Sequence, residues 1–272
     1  MKDPSEIELG SVQKTLLLPL WGRAVETQKP IPLLVDHIAV SIINSLPYDF
    51  AVIAKNVPPI SRLSWIARSN YFDKKIKEFI SVFPEATIIN IGCGLDTTFD
   101  RVDNGSILWY DLDLPDTIEL RKKYISELDR RKFISKSVFD TSWYDRVEKK
   151  NRVMLLIAGV LYYFNESDIK RLFSEFHHFL PGVEIVFDYA SRLGIKVSNK
   201  KVLEKGGMDK SACLKWGIDN IREIEKWDNN ITVINNIRMY KEHKKYYSIL
   251  RRMGMTFADL LKIMSLAHIR IN

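Results

Sequence analysis

The sequence predicts an α/β protein built on a doubly wound, mostly parallel sheet of seven strands, preceded by a helical N-terminal segment. Three observations lead there. Between residues 87 and 188, short apolar runs alternate with amphipathic segments, the rhythm of right-handed strand–helix–strand crossovers. One of these runs, VMLLIA (153–158), is apolar throughout, as a central parallel strand covered on both faces must be. Two further apolar runs follow late in the chain, where they suit an antiparallel sheet edge.

The first 84 residues read as helical. One segment, near Leu33–Leu46, begins after Pro30 and Pro32. A longer one, from about Ser61 to Phe83, carries Leu63, Ile66, Phe72, Ile76, Phe79 and Ile80 close to a helical stripe and is closed by Pro84. The strands then follow in order: TIINI (87–91), ending in a GCG turn; ILWYDL (107–112), followed by a helix from about Asp116 to Leu128; and KFISKS (132–137). After VMLLIA, Asn165 and Asp168 start a helix whose apolar positions are Ile169, Leu172, Phe173, Phe176 and Phe179. Pro181–Gly182 stops it, and VEIVFD (183–188) is the fifth strand. The remainder reads as an insertion over Ser191–Asp209, a helix near Ile218–Lys226, a strand at ITVINNI (231–237), a helix near Phe257–Met264 and a strand at LAHIRI (266–271). The chain is expected to form a single domain in three parts: a helical cover (1–84), a ligand-binding core (85–190), and a lid with the sheet edge (191–272). Residues Ser191–Trp216, rich in lysine and with Gly206–Gly207 as a hinge, are expected to cover the pocket.

Composition narrows the function classes. A 272-residue chain with 46% hydrophobic and 28% charged residues is neither disordered nor collagenous. No apolar run approaches the roughly 18–20 residues that span a bilayer, and MKDPSEIELG is unlike a secretory leader, so a cytoplasmic protein with no membrane partner is expected. Cys93 and Cys213 cannot build a disulfide framework or a cysteine-rich metal site. His177 and His178 lie on an amphipathic helix without metal-ligand spacing, so no metal is expected. The +7 net charge is spread through patches with interleaved acids, such as RKKYISELDRRK, and reads as a solvated surface rather than a nucleic-acid face.

Ligands of doubly wound sheets bind at the carboxyl ends of the strands. The first strand delivers Gly92, Cys93 and Gly94, then Leu95 and Asp96; the glycines allow a tight turn and close approach of a ligand to backbone N–H groups. The second strand ends at Asp111 and Asp113, which share one face. From Gly92 to Asp113 is 21 residues, near the roughly 20 between a glycine loop and a ribose-binding acid. The third glycine of a dinucleotide fingerprint is replaced by Thr97, which disfavours a pyrophosphate cofactor. S-adenosylmethionine, with a ribose and an amino-acid end but no phosphate, suits the loop better.

LPLWGRAVET, IARSNYFD, NIGCGLDTTFDR, WYDLDLP, IAGVLYYF and VFDYASR resemble, in order, motifs of the leucine carboxyl methyltransferase family, and in particular its bacterial branch of polyketide O-methyltransferases. The likeness spans about Leu16 to Ser191. It implies a class I methyltransferase fold, S-adenosylmethionine as cofactor and a small-molecule acceptor. By position, Arg68 matches the arginine that holds the methionine carboxylate, a role that suits a bidentate guanidinium. Without the resemblance, Arg68 reads as a helix-surface residue paired with Asp73. Gly92 matches the glycine against the amino-acid portion, Asp113 the ribose-binding acid, with Asp111 as the less favoured choice, and Ser137–Val138 the pair beside adenine.

One departure stands out. Where the family commonly has glutamate, this chain has Ala158 before Gly159, so a backbone carbonyl or another acid such as Asp96 must serve the cofactor's amino end, or the site is weakened. Tyr162 and Tyr163 could line an acceptor pocket or belong to the core; Arg23 could face an anionic acceptor or support structure; His37 is a guess for a base. The reading is methyl transfer to an oxygen of a small molecule, with a carboxylate favoured because it needs no base. The alternatives are a non-catalytic nucleoside-binding protein and a nicotinamide-dependent oxidoreductase.

Overall fold

The computed structural model describes residues 11–46, 50, 57–205 and 213–272. Within them, seven strands form one sheet: β1 (Thr87–Ile91), β2 (Leu108–Asp113), β3 (Arg131–Ser135), β4 (Val153–Ile157), β5 (Val183–Ala190), β6 (Ile231–Arg238) and β7 (Met264–Ile271). Their order is β3-β2-β1-β4-β5-β7-β6. β1 to β5 are parallel, whereas β7 runs antiparallel between β5 and β6. Strand order therefore reverses between β1 and β4, and a crevice opens there at the carboxyl ends. All five residues of β1 are buried, as its central place demands.

The helices are α1 (Ser11–Thr27), α2 (His37–Ser45), α3 (Pro59–Val82), α4 (Thr98–Val102), α5 (Pro115–Lys122), α6 (Glu166–Phe179), α7 (Arg192–Lys205) and α8 (Ile249–Leu260). Alternation along the strands feeds two cores. Ile89, Leu112, Leu155 and Ile185 meet Ile169, Leu172, Phe173 and Phe176 of α6 on one face. Ile88, Trp109, Met154 and Val186 meet Leu63, Phe72, Ile76 and Phe79 of α3, with Met255 of α8, on the other. A third cluster joins Leu17, Leu20 and Ala24 of α1 and Ala39 and Ile42 of α2 to Leu95 beyond β1 and Leu120 of α5, so the N-terminal helices pack directly on the glycine turn.

Several boundaries differ from the sequence reading. The helix expected to reach Leu128 stops at Lys122, because Leu128 pairs with Arg131 in the turn that feeds β3. The Ser191–Asp209 insertion contains a regular helix, α7. Gly194 near its start allows a close approach to the sheet edge, since a Cβ there would lie 2.2 Å from the Ile263 carbonyl oxygen. Leu214 is held to α7 by two hydrogen bonds of 2.8 Å with Asn199, and the N–H groups of Lys215 and Trp216 donate to the Tyr162 carbonyl. The Gly206–Gly207 hinge lies outside the described residues. The helix near Ile218–Lys226 is a 3-10 turn over Ile221–Lys226. The helix near Phe257 starts earlier, at Ile249, and Met264 already belongs to β7, where it pairs with Ala190.

Gly254 sits inside α8 at a position where an added Cβ would meet nothing within 4 Å. Gly254→Ala should raise unfolding stability by about 0.5–1 kcal/mol, since alanine lowers the entropy lost on helix formation. Urea denaturation of the two proteins measures it, and equal midpoints would contradict this account.

Candidate active site

The turn after β1 holds the site together. Gly92 has φ +66° and Gly94 φ +49°, both left-handed. Their faces are close-packed: a Cβ on Gly92 would lie 2.4 Å from Cγ2 of Val160, and one on Gly94 2.9 Å from Cδ2 of Leu16 on α1. The Gly92 N–H donates to the Leu112 carbonyl at 2.8 Å, and the Gly94 N–H to the Asp113 carboxylate at 2.8 Å. The other Asp113 oxygen accepts from the Leu114 N–H at 2.8 Å. Burial pushes the Asp113 carboxyl above its ordinary pKa, although both N–H donors oppose that shift. Asp113 thus stands half-buried at the strand end, orientated by backbone donors and retaining acceptor capacity for hydroxyl groups.

Asp111 is not placed for that task. It is fully buried, pairs with Arg121 at 2.7 Å, and accepts from Trp109 Nε1 and Asn90 Nδ2. Arg121 in turn donates to the carbonyls of Gly94 (2.9 Å) and Asp96 (2.8 Å). Asp111 therefore anchors the arginine that braces the turn from inside the protein. Cys93, in the same turn, is a buried filler whose thiol is pushed well up by desolvation.

The N-terminal helices add a second brace. Asp36 caps α2 by accepting the Ala39 N–H at 2.9 Å, and it pairs with Arg23 (2.8 Å) and Arg101 (3.0 Å) while taking the Thr97 hydroxyl donor. Arg101 is shared with Asp73 at 2.7 Å. Thr97, where a dinucleotide fingerprint would carry glycine, is the residue through which the helical cover grips the turn. Arg23 is 4% exposed and engaged in this network, with further contacts to the Leu95 carbonyl and Thr97. It does not offer a cation to an acceptor at an entrance; burial among carboxylates makes it structural. His37 is exposed at the start of α2, outside the strand ends.

On the other side of the crevice, Asp188 at the carboxyl end of β5 gathers three donors. Arg68 Nη1 of α3 lies at 2.9 Å, the Gly159 N–H at 2.7 Å, and the Tyr162 hydroxyl makes a short contact. Asp188 is 0% exposed. Arg68 is therefore neither a surface residue nor Asp73's partner, and among the described residues Nη1 is its engaged atom. Gly159 (φ +76°) allows this approach: a Cβ there would lie 3.0 Å from Arg68 Nη1. Burial, reinforced by the Asp188 charge, pushes the Tyr162 hydroxyl well above its ordinary pKa. Tyr162 is buried and Tyr163 half-buried against it. Ala158, in place of an acid, packs on the α3-side core.

Asp96 stands next to the turn, accepting from Asn90 Nδ2 at 3.2 Å and the Thr98 N–H at 3.1 Å. Burial acts to raise its pKa, but Arg23 and Arg101 outweigh it and the carboxyl stays below its ordinary value. Ser137 and Val138 follow β3: the Ser137 hydroxyl accepts from the Phe139 N–H, while Val138 is buried and its carbonyl accepts from Trp143 Nε1 at 3.0 Å. Among the described residues no cluster of His, Cys, Asp and Glu could hold a metal. A separate groove of about 1700 Å³ follows the outer face of α3, lined by Asp36, Asp73, Lys77, Glu242 and His243 among others; Arg68, Gly92, Asp113 and Asp188 do not line it.

The donor set has a definite chemistry. A glycine-walled turn with an acceptor carboxylate (Asp113) suits a vicinal diol, and an arginine (Arg68) near a carboxylate (Asp96) suits a zwitterion. Sequence reasoning missed Asp188, Asp36, Arg101 and Arg121. Asp188 had the same signal as Asp111, an acid ending an apolar strand run. Asp36 had the signal of a helix cap before an apolar segment.

Known proteins resemble the chain in sequence and in fold. A sequence model of the leucine carboxyl methyltransferase family matches residues 17–177, more than half of the chain. The tetracenomycin polyketide synthesis O-methyltransferase TcmP of Streptomyces glaucescens is 29% identical over 220 residues, 80% of each chain. The fold resembles a crystal structure from Thermobifida fusca assigned to a methyltransferase, with TM-score 0.63 at 10% identity, covering 98% of this chain and 97% of that one. It also resembles magnesium protoporphyrin IX methyltransferase (ChlM) from Synechocystis PCC 6803 with bound SAH, with TM-score 0.50 at 11% identity, covering 87% of this chain and all (100%) of the other.

The Asp36 clamp carries a pH signature. Burial alone would raise the Asp36 carboxyl, but Arg23 and Arg101 outweigh it, so the folded pKa lies below 3.8. A depressed carboxyl contributes stability that is present above its unfolded pKa and lost as pH falls through the folded one. Asp36→Asn should therefore cost about 3 kcal/mol near neutrality, as for breaking a buried pair. That cost should shrink as pH drops below about 4. Denaturation of both proteins across that range tests it; a pH-independent difference would refute the charge account.

Proposed function

The chain belongs to the leucine carboxyl methyltransferase family and is an S-adenosylmethionine-dependent methyltransferase; from that premise we propose that it methylates an oxygen of a small-molecule carboxylate. When bound, S-adenosylmethionine supplies a methyl group already activated on a sulfonium, so positioning counts for more than general-base strength. Asp113 is assigned to the ribose hydroxyls, Gly92 and Gly94 to the close backbone approach, and Ser137–Val138 to the adenine side. Arg68 is assigned to the methionine carboxylate, held in place by Asp188. Asp96, whose carboxylate Arg23 and Arg101 keep ionised, takes the ammonium end that Ala158 cannot serve.

The observation that carries the carboxylate reading is the state of Tyr162. Its hydroxyl is given to Asp188 and held protonated by burial, so it does not take a proton from an acceptor. Of the five histidines, His37 is on α2, His177 and His178 on α6 and His268 within β7, while His243, beyond the carboxyl end of β6, is engaged by Asn70 at 3.0 Å. An ionised carboxylate is its own nucleophile and needs none of them. The O-methyltransferase named among the relatives supports oxygen as the accepting atom.

Cofactor binding is tested by titration with S-adenosylhomocysteine. Asp113→Ala should weaken it by ~1–3 kcal/mol, the worth of hydrogen bonds to a charged group. Arg68→Lys should weaken it too, although charge is kept, because the bidentate fork is lost. Tight NAD binding without S-adenosylhomocysteine binding would overturn the cofactor assignment. The acceptor is tested on the product. With a carboxylate the rate should stay flat from about pH 6 to 8, since such groups ionise near 4, and mild alkali should release the methyl group. A base-stable methyl ether, with a rate rising toward the phenol pKa of about 10, would sink the carboxylate reading and leave the family assignment standing.

A further inference from the structure

Helix α8 turns its apolar side outward. Ile249, Leu250, Met253, Phe257 and Leu260 are 63–82% exposed, whereas Met255 and Asp259 are buried against the body. At 3.6 residues per turn the five exposed side chains, with Leu261, share an arc of about 120° opposite that buried pair. Arg251 and Arg252 fall on either side of the stripe, Lys245 precedes the helix and Lys262 follows it, and all four are exposed. Across residues 241–262 the acids are Glu242 and Asp259, and the latter is buried in an ion pair of 2.8 Å with Lys244.

We propose that this face of α8 docks on an anionic lipid surface, its stripe lying in the boundary between headgroups and acyl chains and its flanking arginines against the lipid phosphates. An amphipathic helix with Phe and Leu on one face and basic residues along its edges is what such a surface recognises. A second copy fits poorly. A two-fold contact through the stripe would bring two copies of the same basic surround, Lys245, Arg251 and Lys262, together without acids to balance them. A convex stripe of flexible side chains also needs a surface that moulds to it. No helix among the described residues is long and apolar enough to cross a membrane, so contact through α8 is peripheral.

The test uses the full chain with vesicles of phosphatidylcholine alone and of equal parts phosphatidylcholine and phosphatidylglycerol, read by co-sedimentation. Binding is expected on the anionic vesicles and should fall as salt is raised. Leu250→Gln combined with Phe257→Gln should reduce it about tenfold or more, the cost of losing two buried apolar side chains. Lys245→Glu with Arg251→Glu should abolish the preference for anionic lipid; Arg252 is left in place because it braces the start of α8 through the carbonyls of Tyr247 and Lys245. Unchanged thermal melting of both variants shows that the fold is intact. Absence of vesicle binding by the parent protein overturns the proposal, as does equal binding to both vesicle types. A dimer in lipid-free solution that Leu250→Gln and Phe257→Gln convert to monomer also overturns it, and makes a second copy the occupant.

Discussion

Buried arginines hold the turn between β1 and α4, and the geometry of the crevice depends on them. Such a turn must expose backbone to a ligand on one side while its carbonyls are buried on the other, and buried carbonyls need donors. Arg121 supplies them to Gly94 and Asp96, with Asp111 balancing its charge. Arg23 donates to the Leu95 carbonyl and, together with Arg101, to the Thr97 hydroxyl, the two charges being balanced by Asp36 and Asp73. Removing one member of such a group leaves an uncompensated charge in a desolvated place, which costs far more than the intact pair contributes. That asymmetry makes these residues hard to replace one at a time.

The same logic joins the two walls. Asp188 binds Arg68 from a helix, Gly159 from a strand end and Tyr162 from a short 3-10 turn, so three segments distant in sequence are positioned by one carboxylate. The helical cover likewise meets the core through both polar and apolar contacts: Leu16 on Gly94, and Asp36 on Thr97.

Much of this was legible in the residues. Strand runs such as TIINI are read correctly because a central parallel strand must be apolar on both faces. The acids at the end of β2 and the glycines after β1 stand out by position and spacing. What periodicity does not reveal is which acid turns inward: Asp111 and Asp113 share a face, and only the packing of α5 brings Arg121 to the first of them. The sequence leaves Arg23 between two roles for the same reason, since a charged residue on an apolar helix gives no sign of a buried partner 13 residues away. The start of α8 was missed because its apolar residues face outward, and a stripe without a core is easily taken for a loop.

The position of β7 has a bearing on how the chain is made. It is the last strand in sequence, yet it lies between β5 and β6, pairing Ile271 with both Val183 and Ile231. While the polypeptide is still emerging from a ribosome, β5 has no neighbour on that side and β6 has no sheet to join. The nascent protein thus carries an open, apolar edge until residues 264–271 are free to insert, and such edges invite pairing with other chains. The sheet is therefore closed on that side only by a strand made after both of its neighbours.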